Sequence, residues 1–169
     1  GIVSSISAAE KKYDVICYDN DIKKIDNFKE SNFDIKEPNL NKLYKKNSNK
    51  IFFTNNILHM NKASIVYISI DIKTNSKGKS NYSEINNILK KIIKNLNKNI
   101  ILIILCQIPP GFTRRINWPK NKLFYQVETL IFGKAFQRAL NPERIIVGKN
   151  NNNKIPTIYN SFLKKFKCP

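Results

Sequence analysis

The sequence predicts an α/β fold, a doubly wound parallel sheet with helices on both faces. Three observations lead there. Short β-branched apolar runs alternate with helix-period stretches along the whole chain. Two of the runs, 64–70 and 100–105, are almost wholly apolar or β-branched, as parallel strands covered on both faces should be. A third run, Leu123-Phe124-Tyr125, stops at a lone carboxylate, Glu128, ahead of a glycine, Gly133, and a helix-like segment. In open α/β sheets ligands sit outside the carboxyl ends of the strands, so an acid at such an end is a candidate functional group, set against the plainer reading of a loop acid.

In chain order, residues 1–9 read as a glycine turn entering a small-residue helix, and residues 13–18 as a short strand ending at Asp19. The Gly1-to-Asp19 spacing suits the second half of a first Rossmann unit, where an acid closing the second strand bonds the adenosine ribose hydroxyls. Residues 21–27 form a short helix, a polar loop runs to Ile35, and Pro38 is placed to open a helix through about Lys45. Ile51-Phe52-Phe53 is a strand whose following turn Thr54 can cap. The buried strand 64–70 ends at Asp71-Ile72-Lys73, and residues 74–81 form a polar loop. Asn81-x-x-Glu84 resembles a capping box, after which Ile85, Ile88, Leu89, Ile92, Ile93 and Leu96 share one helical face and read as a core stripe. The strand 100–105 is the most hydrophobic and central; Pro109-Pro110-Gly111 breaks it, and Thr113 begins a helix, where Arg114 and Arg115 read as a solvated turn, set against the alternative that they face a phosphate. After the Gly133 helix come a short strand at Ile145-Ile146-Val147, a polar loop at 150–153, a last amphipathic helix over 158–166 and an abrupt end at Cys168-Pro169. The pattern describes one domain of 169 residues without internal repeats.

Lys and Arg total 30 against 12 acids, a net charge of +18. Such a balance raises a nucleic-acid-binding reading. The lysines are scattered, at Lys23, Lys24, Lys45, Lys46, Lys90, Lys91, Lys164 and Lys165, with no aromatic-interleaved stripe, so the sequence predicts no nucleic-acid partner. The positive field still favours an anionic ligand such as a nucleotide. Three single cysteines, Cys17, Cys106 and Cys168, have no metal-ligand spacing; no metal is expected, and Cys17 and Cys106 read as buried reduced thiols of a cytoplasmic protein. The longest apolar run, near 100–108, is too short to span a bilayer, and no membrane partner is expected. His59, the single histidine, reads as a surface residue of a helix rather than a catalyst. Because the first residue is Gly1, the natural N-terminus is expected to lie further upstream.

Four segments together resemble the UDP-glucose/GDP-mannose dehydrogenase family. Gln126-Val127-Glu128-Thr129-Leu130-Ile131-Phe132-Gly133-Lys134-Ala135 is similar to its Asn-Pro-Glu-Phe-Leu-x-Glu-Gly-x-Ala motif, and Pro142-Glu143-Arg144-Ile145-Ile146-Val147-Gly148 to the strand that follows. Cys106-Gln107-Ile108-Pro109-Pro110-Gly111 resembles Ser-Thr-Val-Pro-Pro-Gly, and Glu37-Pro38-Asn39-Leu40 resembles Glu-Pro-Gly-Leu. Gly1-Ile2-Val3-Ser4 is similar to the end of the family's Gly-x-Gly-Tyr-Val-Gly fingerprint, with Ser4 for its last glycine. The chain departs from the family at Ser4, at Ile72-Lys73 where a Thr-Pro pair is usual, at Gln107, and at Phe132 where a second acid is usual.

The resemblance implies a Rossmann-like doubly wound sheet lacking its first strand, over residues 1–169, as an incomplete N-terminal NAD-binding domain without the linker and C-terminal nucleotide-sugar domain. It implies NAD held by Gly1, Ile2, Val3, Asp19, Lys24 and Gln107, and a UDP-glucose-like substrate met by Glu128, Thr129 and Leu130. The family oxidises the C6 alcohol of a nucleotide sugar to the uronate in two NAD-dependent steps, through a cysteine thioester. The matching acid, Glu128, would activate the hydrolytic water, a task that partial desolvation would favour. The nucleophilic cysteine belongs to a Gly-rich segment of the other half, so this chain alone is expected to be inactive, and the full-length protein to be a homodimer or larger. Read without the resemblance, the departures leave open a non-catalytic remnant or binding module of the same fold.

Overall fold

The first helix, α1 (Ile2–Glu10), begins directly at Gly1 and is built of small residues that let its inner face lie close to its neighbours; Val3, Ile6 and Ala9 are buried there. The computed structural model describes residues 1–150, 153–166 and 168; Asn151, Asn152, Lys167 and Pro169, from the predicted polar loop and the chain's end, lie outside the described residues. The chain divides into two compact units: Gly1–Met60 with Thr129–Ile145 and Ser161–Pro169, and Asn61–Glu128 with Ile146–Asn160.

In the first unit, β1 (Val15–Tyr18) pairs in parallel with β2 (Ile51–Thr54), from Val15↔Ile51 to Tyr18↔Thr54. Between them lie α2 (Ile22–Lys29) and α3 (Leu40–Asn47). The Asp21 carboxylate caps α2, accepting from the backbone N–H of Lys23 at 2.9 Å and of Lys24 at 3.3 Å. The expectation that Pro38 opens α3 fails by two residues. Asn39 sits in the left-handed region at φ 65°, which a helix cannot include, so the helix starts at Leu40. Thr54 does cap its turn, accepting from Asn56 N at 3.0 Å, and His59 falls in a 3₁₀ segment, Ile57–Lys62, rather than an α-helix. Phe28, Phe33, Tyr44 and Phe53 form an aromatic chain in this core, with neighbouring centroids 5.1–6.0 Å apart. The six-residue helix after Gly133, α5 (Ala135–Leu140), buries Ala135 and Phe136 in the same cluster as Leu40 and Ile51.

The second unit carries β3 (Ile65–Ile68), α4 (Ser83–Asn95), β4 (Ile101–Ile104), β5 (Leu123–Gln126) and β6 (Val147–Gly148), with the strands in the order β3-β4-β5-β6. As expected, β4 is central and wholly buried, and α4 turns Ile85, Ile88, Leu89 and Ile92 inward. The predicted capping box does not form: the N-cap of α4 is Tyr82, with no side-chain cap bond, and Asn81 accepts from Ser83 N at 2.9 Å rather than from Glu84, an Asx-type turn one residue ahead of the helix.

Other expectations need correction. β3 is shorter than 64–70, and its burial alternates: Val66 and Ile68 are inside, Ile65 and Tyr67 half-buried, so it is not covered equally on both faces. The polar loop 74–81 is a small hairpin closed by a Thr74–Ser80 antiparallel bridge, with Gly78 at φ 72° supplying the turn. Thr113 begins one 3₁₀ turn, Thr113–Arg115, and no longer helix; the chain leaves it to bury Ile116 and Trp118, whose indole N–H donates to Ile100 O at 3.1 Å. The last strand is Val147–Gly148 rather than 145–147, and it runs antiparallel to β5 (Tyr125↔Gly148, Gln126↔Val147), an edge arrangement common on otherwise parallel sheets. The final helix, α6 (Thr157–Lys164), contributes the fully buried Tyr159 to the second unit. With parallel pairing at β1–β2, β3–β4 and β4–β5, α2 and α3 between β1 and β2, and α4 between β3 and β4, the predicted α/β class holds, although only 3₁₀ turns join β4 to β5.

Candidate functional site

At the carboxyl end of β1 the ladder runs one residue further, Asp19 N–H donating to Thr54 O at 3.2 Å, and so fixes the backbone from which the Asp19 carboxylate projects. One oxygen of that carboxylate accepts from Asp21 N at 3.0 Å; the other lies 2.9 Å from Lys24 Nζ. Lys24 also lies over the Phe28 ring, 5.7 Å from its centroid, so the lysine predicted five residues after Asp19 is drawn back onto it by α2. The side chains are 40% (Lys24) and 31% (Asp19) exposed, open to a ligand. At the opposite end of the predicted cofactor set, Gly1 is the N-cap of α1, and no acid stands in the helix's first turn. The N–H groups opening a helix have no acceptor within it and carry its positive end. The Val3 side chain is buried and that of Ile2 packs against the core, so these two residues can meet a ligand only through backbone N–H groups.

In the second unit, the parallel registers Ile68↔Ile104 and Ile104↔Tyr125 align the carboxyl ends of β3, β4 and β5. Asp71, Gln107 and Glu128 each stand three residues beyond these matched positions and share that edge. All three are exposed, so the desolvation expected at Glu128 is not provided by this chain itself. Cys106 holds two of the strand ends together: its thiol donates to Ile68 O at 3.2 Å and its sulfur accepts from Ile70 N at 3.1 Å. Burial pushes this thiol up to about 11, the nearby Glu128 and Asp71 charges adding to the effect, so it remains a protonated donor at neutral pH. At β5 the Gln126 carbonyl accepts from Tyr67 OH at 2.9 Å and Tyr159 OH at 2.8 Å. Burial raises the pKa of both hydroxyls, so both stay protonated and hold Gln126 at the start of the Glu128 segment.

Beyond Glu128 the chain returns to the first unit. Leu130 packs against that unit's apolar core, and Thr129 is half-buried. Ile131 O accepts from Lys134 N at 3.0 Å, closing a turn whose third residue, Gly133, takes φ 78°. Phe132, where the resembled motif has its second acid, is 91% exposed. The turn is met by a residue the site prediction omitted. Glu37 accepts from Gly133 N at 2.8 Å and from Ala135 N at 3.3 Å, joining two motifs 96 residues apart. Both motifs were visible in the sequence; their contact was not.

The residues of the first unit fit a dinucleotide. Asp19 offers a carboxylate at a strand end, as an adenosine ribose requires, and Ile2 and Val3 offer backbone amides at the start of the helix that Gly1 caps, as a pyrophosphate requires.

Residues 1–166 match the model of the UDP-glucose/GDP-mannose dehydrogenase family, NAD binding domain. The UDP-glucose 6-dehydrogenase of Rickettsia typhi is 30% identical over 162 residues, 89% of this chain and 37% of that protein. UDP-glucose 6-dehydrogenase TuaD of Bacillus subtilis is 27% identical over 181 aligned residues, 100% of this chain and 39% of that protein. Among solved structures, the GDP-mannose dehydrogenase of Pseudomonas aeruginosa superposes with a TM-score of 0.88 at 14% identity, over 100% of this chain and 43% of that one. The UDP-D-ManNAc dehydrogenase of Pyrococcus horikoshii superposes with a TM-score of 0.85 at 18% identity, over 98% and 42%. The chain thus spans about two fifths of the proteins it resembles. It belongs to the UDP-glucose/GDP-mannose dehydrogenase family and corresponds to that family's NAD-binding domain.

Proposed function

We propose that the chain is the NAD-binding part of an enzyme that oxidises the C6 alcohol of UDP-glucose, or of a related UDP or GDP sugar, to the uronate in two NAD-dependent steps. The observation that carries this reading is Glu128, the acid of the family motif, at the shared carboxyl edge of β4 and β5 in a chain that matches the family over residues 1–166. Bound NAD supplies a hydride acceptor. Asp19 bonds the adenosine ribose with Lys24 beside it, Gly1 and the amides of Ile2 and Val3 meet the pyrophosphate, and Gln107 meets the cofactor at the β4 edge. Thr129 and Leu130 line the nucleotide-sugar side. Glu128 orients and deprotonates the water that hydrolyses the acyl-enzyme formed on a cysteine of the full-length protein. The rest of that protein, absent from the 37–43% spanned here, supplies this cysteine and much of the nucleotide contact. In that reading the 169-residue chain alone has no activity, the full-length enzyme is a homodimer or larger, it acts in the cytoplasm, and it has no nucleic-acid partner.

Glu128→Gln in the full-length protein tests the assignment, since it keeps the shape and removes the base. Turnover falls by roughly 10²- to 10⁴-fold, the usual worth of a positioned acid or base, and a covalent acyl-enzyme accumulates and is seen by mass spectrometry. Normal turnover without a trapped adduct makes Glu128 structural.

The second reading, a binding module that keeps the fold without the chemistry, is favoured by Phe132, whose exposed ring replaces the motif's other acid. It predicts that the full-length protein binds NAD and reduces none of it with any UDP or GDP sugar.

A further inference from the structure

Glu37 stands in the polar stretch before α3, yet its carboxylate is spent on the far motif. Its two oxygens accept from Gly133 N at 2.8 Å and Ala135 N at 3.3 Å, both within the first unit. Two features place it there. Asn39 takes the left-handed conformation at φ 65°, which separates the Glu37-Pro38 segment from α3 and turns it aside. Asparagine is among the few side chains that tolerate this conformation, and the resembled Glu-Pro-Gly-Leu motif has glycine at the same place. Leu40, the first residue of α3, is buried in the same cluster as Ala135 and Phe136, which brings the two motifs to one core.

On the other side, the segment Thr129–Lys134 has little else to define it. Leu130 is packed in the core, Ala135 is buried, and between them Ile131 is 48% and Phe132 91% exposed. The turn depends on one backbone bond, Lys134 N to Ile131 O, and on Gly133 at φ 78°. A glycine in an exposed turn is the most conformationally free residue of the chain, and a charged acceptor on its N–H removes that freedom. α5 is only six residues long, and Ala135 is its first; its N–H has no acceptor within the helix and receives one from Glu37. The carboxylate is therefore an internal clamp on both the turn and the start of α5.

We infer that Glu37 is a positioning residue of the nucleotide-sugar site: by holding the Gly133 and Ala135 amides it fixes the segment that carries Thr129 and Leu130. The inference rests on the dehydrogenase reading above and assigns Glu37 a part in substrate affinity rather than in cofactor affinity, because its bonds reach the turn and not the Asp19 end.

The test uses the full-length protein with Glu37→Ala and Glu37→Gln, reading amide hydrogen exchange at Gly133 and Ala135 beside steady-state kinetics with UDP-glucose and NAD. In Glu37→Ala, exchange at both amides accelerates and KM for UDP-glucose rises about tenfold, while KM for NAD and kcat change by less than about twofold, as misplacement of a binding segment predicts. Glu37→Gln keeps one carbonyl acceptor and gives an intermediate KM. Accelerated exchange with an unchanged KM for UDP-glucose overturns the inference, because the clamp then serves the fold alone. A lower kcat with both KM values unchanged overturns it too, since that is the mark of a smaller folded fraction. If the wild-type protein turns over no UDP or GDP sugar, the dehydrogenase reading falls and the inference with it, whatever the two amides do.

Discussion

At the scale of single residues, two positions where the chain differs from the family motifs have well-defined local geometry. Asn39 stands where the motif has glycine and takes a left-handed φ of 65°, and Cys106 stands where the motif has serine, its thiol donating to Ile68 O and its sulfur accepting from Ile70 N. Asp19 was legible from its distance to Gly1 and from its place after an apolar run. Its ion pair was not, because spacing says nothing of where a long lysine turns, and Lys24 has ended up 2.9 Å away. This pair sets two effects against each other in cofactor choice. In the proposed site the carboxylate would hydrogen-bond the ribose hydroxyls of NAD and repel the 2′-phosphate of NADP. Lys24 and the net charge of +18 attract that phosphate. Scattered surface charge is screened over about 8–10 Å, so the contact group prevails. The full-length protein is expected to bind NAD at least about tenfold tighter than NADP, a difference of about 1.4 kcal/mol, and Asp19→Ala is expected to remove most of that gap. Fluorescence titration with both dinucleotides checks it; equal affinities in the wild type count against the role of Asp19.

At the scale of elements, type was more legible than extent. The apolar period marked α4 and β4 correctly, since nothing in the surroundings competes with so strong a pattern. α3 began late because backbone conformation at Asn39, invisible to hydrophobic pattern, decided its start. β6 was found two residues from its expected start, and its antiparallel direction follows from pairing partners that local sequence does not name. Helix-to-helix bonds were likewise beyond reach. Glu10, at the end of α1, accepts from Lys46 Nζ at 2.6 Å and from Asn47 Nδ2 at 2.7 Å, the latter also bonded to Leu43 O at 2.9 Å, and so ties α1 to the end of α3. The bonds from Lys46 and Asn47 hold the Glu10 carboxyl below the usual carboxylate range. A carboxyl with a depressed folded pKa stabilises the fold fully above its unfolded pKa, near 4.3, and loses this as pH falls through the folded value. Glu10→Gln is therefore expected to destabilise the chain by about 1 kcal/mol at neutral pH, a part-exposed charged network being worth little more. Urea unfolding shows the wild-type and variant curves converging as the pH falls below about 4. A gap that persists in acid means that shape, not charge, holds Glu10.

At the scale of the whole molecule, the fold class and the family were legible because four motifs kept their order over nearly the full length, although none is distinctive alone. The division into two compact units was not, since the chain crosses between them at Asn61, Thr129, Ile146 and Ser161 without any change in composition that marks a boundary. Nor could sequence tell that Glu128 is exposed in this chain. In the proposed enzyme the desolvation of Glu128 would come from substrate and from the remainder of the longer protein; this chain spans about two fifths of the relatives' length. Among the described residues no helix is long and apolar enough to cross a membrane. The central claim is that a protein built on this domain carries an alcohol through to the acid. The most direct measurement is the number of NADH formed per UDP-glucose consumed by the full-length protein, with the 169-residue chain as control. The account predicts two NADH per uronate with no free aldehyde, and no NADH above the blank from the 169-residue chain. One NADH with release of the aldehyde, no NADH from the full-length protein with any UDP or GDP sugar, or turnover by the 169-residue chain alone, contradicts it.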